Sequence, residues 1–230
     1  YTATATRSAN DLWKLFASTG THIPIDTPTS GVEGFMYENF DSAGGWAAMQ
    51  NDAEDYGVGL YMENRLTSWQ AWQLRSLPFN NFRPLPAFPI PGHGTIRTRS
   101  YLIIGSLGTI ETEANWLDAN LPPFGSLDTP AADDVLPGTV TVTGWAMDNK
   151  SVSAVELLVD GAVVATLTYG GSRPDVCTVW PQYSACDDVG FSGTFDASGL
   201  SACGNVLEIR ATDGDGNSRI IGRKRVFGSS

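Results

Sequence analysis

The sequence predicts a mainly β protein made of two antiparallel β-sandwich domains, with one short N-terminal helix. Between residues 139 and 227, short strand-like segments alternate with clusters of Gly, Asp and Asn, a spacing typical of antiparallel sandwiches. The proline-rich stretch 121–137 places a domain boundary near residue 125, which gives domains of residues 1–125 and 126–230. The 42% hydrophobic content is sufficient for two cores.

The helix is predicted near the N-terminus. Ser8 is a suitable N-cap residue, Leu12, Leu15 and Phe16 would share one helical face, and Gly20 would follow the last turn. Strand signals dominate after residue 31, and the best strand candidates of the first domain are residues 32–40, 46–50, 58–64 and 96–105.

Two of these segments, residues 45–50 and 57–63, are predicted to pair as a hairpin. Alternation places Gly59, Tyr61 and Glu63 on one face of the second strand, so that an aromatic ring and a carboxylate share a face with a glycine that leaves room beside them. Farther on, five prolines between residues 76 and 94 exclude a regular helix. That stretch is predicted to be a long excursion packed by its own aromatic residues, or a rim around a cleft.

The second domain reads as a succession of strands ending in a hairpin. Strands are predicted at residues 139–145, 153–160, 162–169 and 190–196, with a turn at Asp160-Gly161. The final hairpin pairs residues 206–212 with 219–227 across the turn Asp-Gly-Asp-Gly-Asn, whose residues tolerate positive φ or cap their own backbone.

Charge and hydropathy exclude some classes of partner. Fourteen basic residues against 25 acidic residues give a formal net charge of −11, which disfavours a nucleic acid partner. No apolar run of about 18 residues occurs, so no membrane-spanning helix is predicted. No signal peptide is visible, and the chain begins as a fragment or a mature form would.

The three cysteines are predicted to form one disulfide. Cys177 and Cys186 bracket a short, loop-like insert between two strand signals, and a bridge between them favours an oxidising, secreted or cell-surface location. Cys203 lies in a turn and is expected to stay unpaired, without a catalytic role.

The second domain resembles the bacterial immunoglobulin-like modules of secreted and cell-surface proteins. The resemblance covers about 95 residues and is carried by residues 142–148, 155–161, 173–177, 189–191 and 211–217. It implies an immunoglobulin-like fold and a spacer or accessory role, with no catalytic residues to carry over.

The first domain resembles, more faintly, the sandwich domains of bacterial polysaccharide-active proteins. The residues concerned are Gly45-Trp46, Asp52, and the segments 57–61 and 100–106. This resemblance implies contact with a polysaccharide.

A glycan site is predicted in the first domain at Tyr56, Tyr61, Glu63, Trp69 and Trp72. Indole faces pack on the apolar faces of sugar rings while amides and carboxylates bond the hydroxyls, and Gln70 and Gln73 stand beside the two tryptophans. Core packing is the alternative for all five residues. For the two tryptophans, a spacing of three residues is also what one buried face of a helical turn gives.

Catalytic readings of the same region stay open. A glycosidase would need two carboxylates at a fixed separation, and acids crowd this region as Glu38, Asp41, Asp52, Glu54, Asp55 and Glu63. A lyase could draw its base and charge-neutralising groups from Tyr101, His93, Arg97 and Arg99. Solvated loop acids are the alternative, and no catalytic residue is assigned.

The hairpin turn is also a candidate calcium site. Asp213, Asp215 and Asn217 alternate as oxygen ligands do in calcium loops, although no acidic residue follows to complete an EF-hand. The alternative is that these residues only shape the turn. Calcium is the one cofactor considered, because the cysteines and histidines lack zinc-ligand spacing.

Together these patterns favour a non-catalytic module of a secreted bacterial protein that binds a polysaccharide and carries an immunoglobulin-like spacer, within a larger parent protein. Two alternatives remain: a polysaccharide-degrading hydrolase or lyase, or a fragment of one, and a surface adhesion domain.

Overall fold

A computed structural model of the chain describes residues 13–28, 34–51, 55–63, 68–74, 79–85, 98–181, 183 and 185–229. Its contacts divide the chain into two compact units, Tyr1–Asp118 and Ala119–Ser230, here called unit 1 and unit 2. Both units are built mainly from antiparallel strands, which confirms the predicted fold class. None of the helices in the described part of the chain is long and apolar enough to cross a membrane.

Unit 1 contains two antiparallel sheets. The first sheet has the order β2-β1-β5-β6-β9 and the second has the order β3-β4-β7-β8. The strands are β1 (Lys14–Ala17), β2 (His22–Ile23), β3 (Thr27–Pro28), β4 (Phe35–Asp41), β5 (Trp46–Asn51), β6 (Tyr56–Met62), β7 (Ser68–Leu74), β8 (Phe79–Pro84) and β9 (Ser100–Gly105).

The core of unit 1 lies between these two sheets. Strand β7 shows how the chain builds it, because Trp69, Ala71 and Gln73 are buried while the residues between them are partly exposed or exposed. Met49 and Val58 come from the first sheet and belong to the same apolar cluster as Trp69. The predicted hairpin of residues 45–50 and 57–63 is confirmed as β5 paired with β6.

A helix that the sequence did not predict, α1 (Leu107–Asn120), covers the other face of the first sheet. Ser106 caps the first turn of this helix, since its Oγ accepts the Thr109 N–H at 3.2 Å. Ile110 is completely buried, and a Cβ placed on Gly59 would lie 2.2 Å from its Cγ2. The room beside Gly59 is therefore filled by this helix.

The predicted N-terminal helix is wrong over the residues that the structure describes, because Lys14–Ala17 form strand β1. Leu15 is fully buried and pairs with Met49 of β5. The Trp13 N–H donates to Asn80 Oδ1 at 3.2 Å, and the Trp13 carbonyl accepts from Gln73 Nε2 at 2.5 Å. These long-range bonds override the local helical pattern. The expected cap, Ser8, lies outside the described residues.

The proline-rich excursion also contains regular structure, since Phe79–Pro84 form β8 at the edge of the second sheet. Phe82 packs in the core, and Pro84 closes the strand at an edge, where a residue without an N–H is tolerated. Residues 75–78 and 86–97 lie outside the described part of the chain.

Unit 2 is a sandwich of a four-stranded sheet, β10-β12-β16-β15, and a five-stranded sheet, β11-β18-β17-β13-β14. The pairs are antiparallel except for the short contact between β11 and β18. The strands are β10 (Phe124–Thr129), β11 (Val135–Leu136), β12 (Thr139–Met147), β13 (Val152–Val159), β14 (Ala162–Thr166), β15 (Thr168–Gly171), β16 (Gly190–Asp196), β17 (Asn205–Asp213) and β18 (Ser218–Gly228).

The strands predicted at 139–145, 153–160 and 190–196 are confirmed with small shifts of their ends, and the final hairpin is β17 paired with β18. The single strand predicted at 162–169 is wrong, because the chain leaves the five-stranded sheet after β14 and enters the four-stranded sheet as β15. Alternating residues of both sheets meet in a single core that includes Val142, Leu157, Phe191 and Ile209. The first strand of the unit begins at Phe124, so residue 125 lies inside β10.

The insert between β15 and β16 contains the short helix α2 (Pro174–Val179) and a single 3-10 turn, Cys186–Asp188. The predicted disulfide is present between Cys177 and Cys186, and Cys203 is free and exposed.

Candidate functional site

The five residues predicted to bind a glycan lie on different faces of unit 1. Tyr56 and Trp69 contact the core between the two sheets, and Tyr61 is buried on the helix-covered face of the first sheet. Glu63 is 7% exposed at the end of β6, where its N–H donates to the Arg99 carbonyl. Trp72 points to the outer face of the second sheet. These five residues therefore do not form one surface.

The two tryptophans of β7 separate because a strand has a two-residue period. Three residues apart on a strand means opposite faces, whereas on a helix it would mean the same face. Trp69 is completely buried and lies between the rings of Phe40 and Phe82, each with its centroid 6.4 Å away. The core alternative therefore holds for Trp69, which offers no surface to a ligand.

Tyr61 is also removed from the surface. It is 1% exposed, and its hydroxyl donates to Asp118 Oδ1 of α1 at 3.1 Å. Tyr56 packs edge-on against Trp13 with ring centroids 5.3 Å apart. Both rings take part in the packing of unit 1.

Trp72 belongs to a different surface, the outer face of the second sheet. Residues that pair directly in an antiparallel sheet project from the same face, so the registers of β4, β7 and β8 define its members. We call this surface the Trp72 face, and it consists of Phe35, Tyr37, Asn39, Asp41, Ser68, Gln70, Trp72, Leu74, Phe79, Asn81 and Arg83.

One end of the Trp72 face is aromatic. Phe35 stacks on Trp72 with centroids 5.0 Å apart and planes 26° apart, and the tilted ring of Tyr37 lies 5.4 Å from the same indole. Phe79 contacts Phe35 at 6.1 Å. All four rings are partly exposed, in contrast to the fully buried Trp69.

The next row of the Trp72 face is polar and is organised by Gln70. Its Oε1 accepts the Trp72 Nε1–H at 2.8 Å and also accepts from Arg83 Nε at 3.2 Å and Nη2 at 2.5 Å. Its Nε2 donates to Asn39 Oδ1 at 2.9 Å. One amide thus fixes the indole, the guanidinium and a second amide side by side, with Asn39 and Arg83 exposed.

The acids considered for catalysis are bonded to neighbouring polar groups where the structure describes them. Glu38 accepts from Thr27 at 3.1 Å, Asp55 accepts from Gln50 at 3.0 Å, and Asp41 accepts from Ser68 at 3.4 Å. Some of the other catalytic candidates lie in the described part of the chain and some lie outside it. Tyr101 and Arg99 lie at β9, while Asp52, Glu54, His93 and Arg97 lie outside the described residues.

The candidate calcium turn is held by hydrogen bonds. Asp213 is buried, and its Oδ1 accepts the N–H groups of Asp215 and Asn217 at 2.9 and 2.8 Å, while its Oδ2 accepts from Asn217 Nδ2 at 2.8 Å. Asp215 pairs with Lys150 at 2.6 Å, a contact that raises the pKa of this lysine. These bonds support the turn alternative.

The described residues contain no group of three or more His, Cys, Asp or Glu side chains arranged to hold a metal ion. Asp148, close to this turn, accepts the N–H groups of Lys150 and Ser151, and burial raises the pKa of its carboxyl. Two backbone N–H groups and one amide N–H already occupy acceptor positions of the Asp213 carboxylate.

Unit 2 has an aromatic cluster of its own on the outer face of its four-stranded sheet. Phe124 contacts Trp145, Trp180 and Tyr183 with centroid distances of 5.8, 5.4 and 5.5 Å. Trp180 and Tyr183 come from the disulfide-bonded insert and are buried. Trp145 faces outward, because the core residues of β12 are Val142 and Ala146.

The sequence placed Gln70 beside Trp72, but the partners from other strands, Phe35, Tyr37, Asn39 and Arg83, were missed, although a signal was available. Residues 35–41 and 68–74 both alternate, and in each segment one set of alternating positions carries aromatic and amide side chains. A two-residue period applied to residues 68–74 would have separated Trp69 from Trp72 and grouped Trp72 with Gln70.

Comparisons with known proteins support the reading of unit 2. Residues 123–173 match the bacterial Ig domain family, which confirms the resemblance seen in the sequence. No curated protein matches the chain.

Among solved structures, fibronectin(III)-like modules of Clostridium thermocellum CbhA are 17% identical with a TM-score of 0.31, covering 46% of this chain and 100% of theirs. Latent PorU from Porphyromonas gingivalis is 11% identical with a TM-score of 0.35, covering 95% of this chain and 24% of its own. Bacteroides ovatus SGBP-B, solved with a mixed-linkage heptasaccharide, is 12% identical with a TM-score of 0.27, covering 94% and 36%. Similarities at this level carry no functional argument.

Proposed function

We propose that this chain is a non-catalytic, glycan-binding module of a secreted or cell-surface bacterial protein, with the Trp72 face as its binding surface and unit 2 as an immunoglobulin-like spacer. The observation that carries the proposal is the stack of Phe35, Trp72 and Tyr37 directly beside the bonded row of Asn39, Gln70 and Arg83.

The chemistry of sugars explains why this combination matters. A pyranose ring has apolar C–H faces, which pack on aromatic rings. Its hydroxyls project from the edge of the sugar ring and require hydrogen-bonding groups beside the aromatic rings. The Trp72 face supplies both within neighbouring rows of one sheet. Because Gln70 already fixes Trp72 and Arg83, these side chains lose little further conformational freedom when a ligand binds.

The shape of the surface favours a polymer over a small molecule. In the described part of the chain this face is formed by side chains of three adjacent strands about 4.8 Å apart, and such a sheet face is open, whereas small ligands are bound in concave pockets. A glycan chain can lie along such a face and use several weak contacts at once.

The location outside the cell is supported by the Cys177–Cys186 disulfide, because such bonds persist mainly in oxidising compartments. The match of residues 123–173 to bacterial Ig domains supports a spacer role for unit 2. Other domains of a larger parent protein are the proposed further partners.

Affinity electrophoresis of the full chain in a panel of soluble polysaccharides tests this proposal. We expect at least one polysaccharide to retard the wild type, and Trp72→Ala to migrate without retardation. The matched control is Trp116→Ala, which removes a tryptophan that is 58% exposed on α1 and away from the Trp72 face. Circular dichroism and thermal denaturation of each variant show that the fold is intact.

Two results would reject the proposal. The first is a wild type that no polysaccharide retards, and the second is a Trp72→Ala variant that is retarded as strongly as Trp116→Ala. Reducing-sugar release and the absorbance of unsaturated products, measured on the same panel, report hydrolysis and elimination, so an active chain would instead favour the enzyme alternative.

A further inference from the structure

Resting on the proposed function, we infer that the glycan is anionic, and that Arg83 is the residue that recognises its charged group. The group would be a uronate carboxylate or a sulfate ester on a sugar bound beside Trp72. Three features of the structure lead to this assignment: the unneutralised charge of Arg83, its position in the Trp72 face and the acidity of the remaining chain.

The charge of Arg83 is not compensated by any acid in the described part of the chain. Its guanidinium contacts the neutral Oε1 of Gln70. Five other cations of the described residues contact acids: Arg173 contacts Asp128 and Asp175, and the further pairs are Lys150–Asp215, Arg210–Glu156, Arg223–Glu208 and Arg225–Asp133. Lys224, by contrast, donates to the backbone carbonyls of Asp128 and Pro130. Arg83 is exposed, and its bonded partner among the described residues is a neutral amide.

The geometry leaves Arg83 able to bind an anion. Gln70 Oε1 takes its Nε and Nη2 donors on one side, which fixes the plane of the guanidinium. Arginine has five N–H donors in a rigid fork, so donors remain for a carboxylate or a sulfate. The only carboxylate of the Trp72 face, Asp41, lies two strands away on β4 and accepts from Ser68.

The position of Arg83 matches a sugar seated on the aromatic rings. Arg83 pairs with Gln70 and Trp72 pairs with Asn81, so the arginine stands one row along and one strand across from the indole. Two residues along a strand span about 7 Å, which is within reach of a substituent on a ring that stacks against Trp72. The aromatic rings would therefore hold the sugar while Arg83 selects its charge.

The net negative charge of the chain supports the assignment of anion recognition to a single arginine. Charges beyond about 8 Å are screened at physiological ionic strength, so distant acids oppose the approach of a polyanion only weakly. They also give no general attraction for polyanions, so any binding of one must come from a specific cation. A protein with surplus positive charge would not allow that conclusion.

Matched pairs of polymers test the inference with the intact chain. Polygalacturonate is compared with its methyl-esterified form, and dextran sulfate is compared with dextran, so that each pair differs in charge while its sugar backbone is the same. We expect wild-type affinity to be about tenfold or more higher for the charged member of at least one pair, as charged hydrogen bonds would give. The pair that responds identifies the carboxylate or the sulfate as the ligand group.

Two substitutions assign this selectivity to Arg83. Arg83→Gln is expected to lose the preference and to bind both members of the pair with the weaker affinity, while Arg83→Lys recovers part of it, because a lysine keeps the charge without the fork. The control is Arg99→Gln, which makes the same change in net charge just before β9, in the other sheet.

The failure of this inference is distinguishable from failure of the proposed function. Equal affinity for the charged and uncharged members of both pairs, or a preference that Arg83→Gln retains, overturns the role of Arg83 while glycan binding stands. A wild type that binds neither these polymers nor any neutral polysaccharide overturns both. Loss of selectivity in Arg99→Gln as strong as in Arg83→Gln would assign the effect to net charge and overturn the inference.

Discussion

Each unit of this protein places aromatic side chains on the outer face of a four-stranded sheet, and the two faces differ in what covers them. In unit 2 the chain covers the face itself, since the insert brings Trp180 and Tyr183 onto Phe124 and is closed by the Cys177–Cys186 disulfide. In unit 1 the rings around Trp72 remain partly exposed and stand beside a polar row.

Because one aromatic face is covered by the chain and the other is partly exposed, aromatic content alone does not identify a binding surface. Phe124 and Trp145 lie on an outward face, as Trp72 does, yet the chain supplies their packing partners. Around Trp72, a fixed set of hydrogen-bonding groups accompanies the rings. An aromatic face with polar groups at its edge is suited to a polar ligand, whereas one covered by further aromatic groups behaves as a small additional core.

The largest expected effect is on the free energy of unfolding in unit 1, where Trp69 is buried and Trp72 is partly exposed. Trp69→Ala should lower the free energy of unfolding by about 3–5 kcal/mol, because it leaves a cavity between Phe40 and Phe82. Trp72→Ala should lower it by only about 1 kcal/mol, the scale of an exposed aromatic pair. Urea denaturation monitored by circular dichroism measures both, and equal losses would contradict the division between core and surface.

Removing the Cys177–Cys186 disulfide should loosen the insert that packs on Phe124 and so expose the aromatic cluster of unit 2. Cys177→Ser combined with Cys186→Ser is expected to cost about 2.7 kcal/mol from the entropy of loop closure. Fluorescence of Trp180 should shift to longer wavelength as the insert loosens. Cys203→Ser is the control, with an expected change within about 0.5 kcal/mol.

Mass spectrometry of a non-reduced digest checks the pairing behind that prediction. A peptide linking Cys203 to either of the other cysteines would contradict it, as would a double variant as stable as the wild type.

A smaller, pH-dependent effect is expected at Tyr169 in unit 2. Its hydroxyl donates to the Ala146 carbonyl at 3.0 Å, and burial, with a contribution from the charge of Asp148, raises the pKa of Tyr169 to about 12. Because the folded pKa lies above the unfolded value of about 10, the neutral phenol stabilises the fold fully below pH 10 and its contribution is lost as pH rises through about 12.

Tyr169→Phe tests this effect by urea denaturation across that range. The variant should be less stable than the wild type by about 1 kcal/mol near neutral pH, through the lost hydrogen bond. The difference should shrink and then reverse above about pH 10. A difference that stays constant with pH would show that Tyr169 ionises in the folded protein as freely as in the unfolded chain.

The smallest effect concerns calcium at the hairpin turn of unit 2. Since Asp213 already accepts three hydrogen bonds and Asp215 pairs with Lys150, exchanging a chelator for millimolar calcium should leave the melting temperature unchanged. A rise in melting temperature that Asp215→Ala removes would instead establish a calcium site there.

Prediction from the sequence succeeded best in unit 2, where local signals decide the structure. Asp160-Gly161 and the turn at 213–217 lie where the strands end, because these residues adopt or cap turns whatever surrounds them. The disulfide was also predictable, since its cysteines are close in sequence.

In unit 1 the sequence identified four of the nine described strands, β4, β5, β6 and β9, but not which surface each side chain occupies. Leu12, Leu15 and Phe16 fit a helical face, yet pairing with β2 and β5 makes Lys14–Ala17 a strand. Helix α1 was missed because Ile110 and Ala114 are its only buried residues, too few for a clear apolar period. Trp72 kept its place as a candidate, while Trp69 and Tyr61 proved to be buried.

Local patterns were sufficient to predict the mainly β class, the final hairpin, the Cys177–Cys186 bond and the likeness to bacterial Ig domains that is matched at residues 123–173, because turn chemistry, two-residue alternation and short loop closure act over a few residues. Long-range packing is what makes Trp69 buried and Trp72 partly exposed, and what brings Arg83 beside Gln70. Those outcomes depend on which strand lies next to which and on what packs over each sheet, and such contacts join residues that local patterns do not connect.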